Sequence, residues 1–330
     1  MIALFTVLIL LVILVNGWTD APNAIVGCVS TRSLSPSQSL GLAAVCNFVG
    51  AIGMALFHPA VARTLFGIVN FGNDPDASLR SLCAALCAVI LWAVVAWRFG
   101  IPTSESHALI SGMTGAALAT RGGLDAIHPE QWRLVLIGLV ATTLPACLLG
   151  YLFYRFLQWI LHDRARRPTM QYFARAQCVS AATSALLHGA QDSQKFMGVY
   201  MLGLSFCTTQ GNGNGAIPLP IVLICAAVMT LGTMLGGARI IKKVGCDMTE
   251  LDAAGGSASD AASSAVLSVC SVLGIPASTT HSKACAMMGC GLCKKGGVDF
   301  RIVCEMLSAW TLTFPICGGI GFILARLMMS

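Results

Sequence analysis

MIALFTVLILLVILVNGWTDAPNAIVGCVS, Met1 to Ser30, is almost wholly apolar as far as Val15, turns polar over Asn16-Gly17-Trp18-Thr19-Asp20-Ala21-Pro22-Asn23, and becomes apolar again from Ala24. A straight membrane helix needs about 20 apolar residues, so this stretch is too long for one. An ionised carboxylate at mid-bilayer costs at least about 2.5–3.5 kcal/mol, so Asp20 needs a partner, a wet cavity or a function. Pro22 also lacks an N–H and disfavours helix at the residue before it. The reading is a discontinuous membrane helix whose break lies inside the protein. The apolar start has no basic leader and runs into polar residues where a signal peptide would carry small ones, so it is expected to be the first span.

The rest of the chain fits that reading. Of 330 residues, 56% are hydrophobic and 10% charged, against about 25% charged in soluble domains. Apolar segments occur at about 2–31, 40–57, 81–99, 103–120, 134–160, 177–207, 216–237, 251–273, 278–293 and 302–328. Runs such as Val135 to Val140 lack the alternation of a membrane barrel. The expected fold class is an all-α integral membrane protein of ten helical or broken-helical segments.

The break has a second copy. Asn16-Gly17-Trp18-Thr19-Asp20 returns 172 residues later as His188-Gly189-Ala190-Gln191-Asp192, within the long segment 177–207. Gly100-Ile101-Pro102-Thr103-Ser104-Glu105-Ser106-His107, followed by Gly115, returns 174 residues later as Gly274-Ile275-Pro276-Ala277-Ser278-Thr279-Thr280-His281, followed by Gly289. Two repeats are expected, 1–160 and 177–330, joined by a basic loop 161–176. Five segments per repeat is an odd number, which turns the second repeat upside down. Arg164, Arg166, Arg167 and Arg175 place the joining loop in the cytoplasm. Arg32, the Arg239/Lys242/Lys243 group and the Lys294/Lys295/Arg301 group then lie on the same side, with loops 58–80 and 121–133 and both termini outside. A second helix break is expected at His188 to Lys195.

Each Pro-Ser/Thr motif is a good helix start. Thr103, Ser104 and Ser106, with Ser278, Thr279 and Thr280, would present hydroxyls, free backbone N–H groups and the positive helix end to one point, which suits an oxyanion. Asp20 and Asp192 suit a coupling cation or a proton, the alternative being carboxylates that only cap broken helices. Lys195 either faces the anion or neutralises Asp192, three positions away on the same helix face. His107 and His281 adjoin this point as ligands or as packing residues. Lys283 and Asp260 also lie in apolar surroundings, with no role evident.

At these positions the chain resembles the inorganic phosphate transporter (PiT) family, whose repeats carry a G-A-N-D-V-A-N type motif and a P-V-S-T-T-H motif. Here the first reads Gly17-Trp18-Thr19-Asp20-Ala21-Pro22-Asn23-Ala24 and Gly189-Ala190-Gln191-Asp192-Ser193-Gln194-Lys195. The second reads Pro102-Thr103-Ser104-Glu105-Ser106-His107 and Pro276-Ala277-Ser278-Thr279-Thr280-His281, and Gly236-Gly237 with Lys242-Lys243-Val244-Gly245 also matches. The resemblance covers nearly the whole chain. It implies a secondary transporter of inorganic phosphate coupled to sodium or a proton. Thr103, Ser104, Ser106, Ser278, Thr279, Thr280, Lys195 and Gln191 would face phosphate, and Asp20, Asn23, Asp192 and Glu105 the coupling cation, with His107, His281 and Thr19 behind them. Thr19 and Gln191 replace family asparagines and Glu105 a family threonine, all at positions that could set the coupling ion.

The nearest alternative is a permease for sulfate or another oxyanion, disfavoured because a carboxylate accepts the proton that phosphate keeps and sulfate lacks. An ion channel is a further one, less compatible with helix-start anion cradles. No Gly-x-x-x-x-Gly-Lys-Ser/Thr sequence occurs, so an ion gradient is the expected energy source and no enzymatic constellation is found. The 15 cysteines sit mostly in apolar runs and are expected to be reduced, and the single Cys290/Cys293 pair is not read as a metal site. No cofactor is expected beyond the coupling ion. The expected partners are phosphate and the bilayer, with a homodimer as a further candidate and nucleic acid excluded. Gly211-Asn212-Gly213-Asn214-Gly215 reads as an external turn.

Overall fold

The computed structural model describes residues 1–207 and 217–329, the side chains of residues 166 and 167 excepted. The expected turn at Gly211–Gly215 lies outside the described residues. Among them every regular element is helical. The first half contains α1 (Ile2–Thr19), α2 (Val26–Ser30), α3 (Pro36–Phe57), α4 (Ala60–Phe66), α5 (Pro75–Arg98), α6 (Glu105–Arg121) and α7 (Pro129–Ile160). The second contains α8 (Arg166–Ser205), α9 (Leu219–Met234), α10 (Ala238–Lys242), α11 (Ala253–Val272), α12 (Thr279–Gly291) and α13 (Phe300–Met329).

Local chemistry starts and stops these helices. Ser35 and Gln38 form a capping box ahead of Pro36, and the Asp74 carboxylate accepts from Asp76 N and Ala77 N ahead of Pro75. The loops that precede the helices capped by Ser104 and Ser278 are built alike. Gly100 and Gly274 take left-handed φ of 66° and 68°, and Ile101 N and Ile275 N each donate back at 2.9 Å, to Ala96 O and Cys270 O. Only glycine enters that conformation cheaply, which is why the two loops share it.

The burial pattern is inverted relative to a soluble protein. Val7, Leu144 and Val269 are 62%, 70% and 58% exposed, while Asn16, Asp20, Glu105, Asp192 and Lys195 are buried. Lipid is the outer solvent, so apolar side chains face out and polar ones must find partners within. Among the described residues five helical spans are long and apolar enough to cross a bilayer: Ile2–Ser30, Pro36–Phe57, Pro75–Arg98, Pro129–Ile160 and Phe300–Met329. Leu219–Met234 and Ala238–Met248 form a sixth if counted together, bent by 64°. This is a multi-pass membrane protein.

Several expectations are corrected. The other segments are helical but do not qualify as spans by length and hydropathy. α6 and α12 have 17 and 13 residues, and α8 and α11 are too polar. The expected loop 161–176 is shorter, because α8 begins at Arg166 and only 161–165 lie outside helix. After α9, Gly236 at φ 80° turns the chain, and helical structure resumes over Ala238–Met248. Of the two expected breaks only the first exists. α1 stops at Thr19 and a 3-10 turn over Ala21–Ile25 comes next, whereas α8 runs unbroken through His188 to Lys195. The physical reason is that Pro22 forces the first break, while its counterpart Gln194 keeps its N–H and binds outward, its Oε1 accepting from Val61 N at 3.1 Å.

The two halves interlock where side chains vanish. A Cβ on Gly17 of α1 would lie 2.3 Å from Met229 O of α9, and one on Gly189 of α8 would lie 2.2 Å from Asn47 O of α3. These equivalent glycines let the two broken or polar stretches press against the opposite half.

Candidate functional site

Four chain segments converge at the centre: the 3-10 break after α1, the polar middle of α8, and the starts of α6 and α12. Ser104 and Ser278 are the N-caps, each hydroxyl accepting from the backbone N–H three residues on, His107 N at 3.3 Å and His281 N at 3.2 Å. These caps fix where the next hydroxyls point.

Asp20 is held by the 3-10 turn beside it and by α12. Asn23 Nδ2 donates to its Oδ1 at 2.9 Å, and the Thr280 hydroxyl donates to the same oxygen. Asn23 also reaches Thr280 Oγ1 at 3.3 Å. Thr279 Oγ1 lies between the two aspartates, 3.5 Å from Asp20 Oδ2 and 3.3 Å from Asp192 Oδ2. Asp192 Oδ2 also faces Asn16 Nδ2 at 3.2 Å and His188 Nε2 at 3.3 Å. Its other oxygen is 2.5 Å from Lys195 Nζ. Lys195 in turn donates to Ser106 Oγ at 2.6 Å and to the Ala277 carbonyl, so one ammonium ties α8 to the starts of α6 and α12.

Glu105 opens α6 and accepts from Thr19, whose hydroxyl also reaches Val15 O at 2.8 Å. Its second oxygen, Oε2, is buried without a partner among the described residues. Gln191 is turned aside, its Nε2 donating to Ser271 Oγ at 2.9 Å and Ile275 O at 3.4 Å, where it braces the end of α11. His107 and His281 meet edge to face with centroids 4.7 Å apart, and His281 stacks on Trp310 at 3.8 Å. Thr103 is buried just before the α6 cap. Cys290 and Cys293 donate separately, to Gly150 O and Tyr151 O.

Asn16 and His188 escaped the sequence reading as site residues. Each sits four positions before an aspartate, one turn away on the same helix face, and that spacing was the available signal. With His188, the two aspartates place three ligand atoms within 4.8 Å of one another, close enough to share one cation. Three buried carboxylates outnumber the one ammonium, an arrangement that suits a cation or a proton.

A family model described as the phosphate transporter family matches residues 16–321. A probable low-affinity inorganic phosphate transporter of Bacillus subtilis (strain 168) is 33% identical over 310 residues, covering 94% of this chain and 91% of that one. One of Rhizobium meliloti (strain 1021) is 33% identical over 302 residues, covering 91% and 88%. A putative phosphate permease of Pyrococcus horikoshii is 23% identical over 386 residues, covering 95% and 94%. A solved structure titled a sodium-dependent phosphate transporter shares the fold with a TM-score of 0.88 at 18% identity, covering 99% of this chain and 98% of that one. By the extent of these matches, the chain belongs to the phosphate transporter family.

Proposed function

We propose that the protein is a cation-coupled symporter of inorganic phosphate. One observation carries the reading: Thr279, at the start of α12, touches Asp20 and Asp192 at once, which supports an anion cradle at that helix start lying against a pair of carboxylates. Phosphate alone would be repelled by those carboxylates, and a cation alone would leave the Lys195 corner and the helix ends unused. A cation held by Asp20, Asp192 and Asn23 offsets the carboxylates, and phosphate then takes the hydroxyls of Thr103, Ser104, Ser106, Ser278, Thr279 and Thr280 together with Lys195. Glu105, with its unpartnered oxygen, accepts a proton or the proton of phosphate, which favours phosphate over sulfate. Gln191 acts through Ser271, and His107, His281 and Thr19 hold the shape.

The matched glycine loops at Gly100 and Gly274 support two repeats, 1–160 and 177–330, and the basic residues near 164–175 support a cytoplasmic junction with both termini outside. Inverted repeats allow the site to open to either side by rocking. The test is radiolabelled phosphate uptake into liposomes containing the purified chain, with sodium and proton gradients imposed separately. Uphill accumulation driven by one of them is expected. Phosphate flux that never exceeds equilibration under either gradient would refute coupling.

A further inference from the structure

Outside the central site, one buried ion pair has no part in the mechanism above. Lys283 Nζ binds Asp260 Oδ1, both groups fully buried between α12 and α11. Lys283 lies four residues after Thr279 on α12, about 6 Å along the axis and on the same face. From Asp260 a polar line continues outward. Ser180 Oγ donates to Asp260 Oδ2 at 3.0 Å. Gln177, one turn earlier on α8, accepts at Oε1 from Thr31 Oγ1 at 2.7 Å and Ser33 Oγ at 2.8 Å. Thr31 and Ser33 are half-buried and flank Arg32, which is exposed. Along this line the hydroxyls of Ser263 and Ser264 and Nε2 of Gln177 are buried with no partner among the described residues. Unpaired buried donors cost free energy, and a passing ligand would satisfy them.

The opposite half has no such line. At the 174-residue offset, Lys283, Asp260 and Ser263 correspond to Leu109, Leu86 and Val89, and at the 172-residue offset Gln177 and Ser180 correspond to Phe5 and Leu8. Phe5, Leu86, Val89 and Leu109 are fully buried in one apolar cluster, with Leu8 packed against it. A pair that served packing alone has an apolar counterpart in the same molecule that packs without any charge. A buried ion pair is commonly no more stabilising than such a replacement.

We propose that Lys283 and Asp260 form a second oxyanion station, between the central site and the Arg32 face, through which phosphate passes on that side only. The inference rests on phosphate being the transported ion. A protonated oxyanion fits between the two groups, Lys283 donating to P–O⁻ and P–OH donating to Asp260, so neither charge is left uncompensated while the pair is open. Ser263, Ser264 and Gln177 supply the remaining donors. Sulfate, lacking the proton, would leave Asp260 facing an anion.

The test uses the full chain with Lys283→Leu and Asp260→Leu together, copying the apolar half, and separately with Ser263→Ala and Ser264→Ala together. Equilibrium binding of radiolabelled phosphate to purified protein reads the central site, and phosphate–phosphate exchange across liposomes reads passage. The station predicts binding within about twofold of the unaltered chain in both variants, with exchange lowered at least about tenfold in the leucine variant and about threefold or more in the alanine variant. Exchange within about twofold of the unaltered chain in the leucine variant would overturn it. So would loss of binding and exchange together in the leucine variant alongside normal exchange in the alanine variant, which would make the pair a structural support. An unaltered chain that binds no phosphate would fail the transport reading itself and the station with it.

Discussion

Lys195 Nζ lies 2.5 Å from Asp192 Oδ1, three residues earlier on α8, and the same ammonium reaches Ser106 Oγ on α6 at 2.6 Å. The pair therefore binds the middle of one half to the helix start of the other. Taking away one partner of a buried pair strands the other charge and costs about 3–5 kcal/mol. Lys195→Met is expected to lower the melting temperature in detergent and to weaken phosphate binding at least about tenfold. Lys195→Met with Asp192→Asn should recover most of the stability and none of the uptake. Wild-type uptake in the double variant would reduce the pair to a structural tie.

Asp20 has no cationic side chain in hydrogen-bond contact among the described residues and is held by Asn23, Thr279 and Thr280. Asp20→Asn keeps size and most hydrogen bonds and removes the charge. Accumulation of phosphate against its gradient should cease, at least about a hundredfold below wild type, while the protein remains folded by gel filtration. Uphill accumulation at the wild-type rate would make Asp20 a helix cap only.

Glu105 occupies the start of α6, where its family resemblance leads one to expect threonine, and its Oε2 has no partner among the described residues. A group that changes charge as the site fills would make uptake depend on pH. Glu105→Thr should flatten the uptake profile between about pH 5.5 and 8 once the titration of phosphate itself is allowed for. An unaltered profile assigns Glu105 to the helix end, where an acidic residue contributes about 0.3–1 kcal/mol.

Gly17 tests the packing that holds the break in place. A Cβ there meets Met229 O at 2.3 Å, so Gly17→Val should push α1 from α9 and destabilise the protein by about 1–3 kcal/mol, seen as a lower melting temperature. Gly41→Ala in α3, with nothing within 4 Å, should leave the melting temperature unchanged or slightly higher. Equal effects at the two positions would contradict the close approach.

The sequence by itself determined whatever depends on neighbours along the chain. Pro22 has no N–H, so the first helix must break beside Asp20. Gly100 and Gly274, each with proline and serine soon after, must end one helix and open the next, and both did so with the same local bonds. The apolar lengths made the chain a helical membrane protein. Tertiary structure decided whether a polar helix stays whole and which charges meet. The run from His188 to Lys195 read as a second break because its polar groups have no partners nearby in sequence. Those partners come from distant residues: Asn47, Asn16, Ser271, Ser106 and the Ala277 carbonyl. Once they are supplied, the backbone has no reason to unwind. Lys283 and Asp260 were likewise unexplained in sequence, because their separation of 23 positions gives no sign that α11 and α12 lie side by side. Local dihedral preference is written in adjacent residues, whereas the satisfaction of a buried polar group depends on whichever helix the fold brings against it.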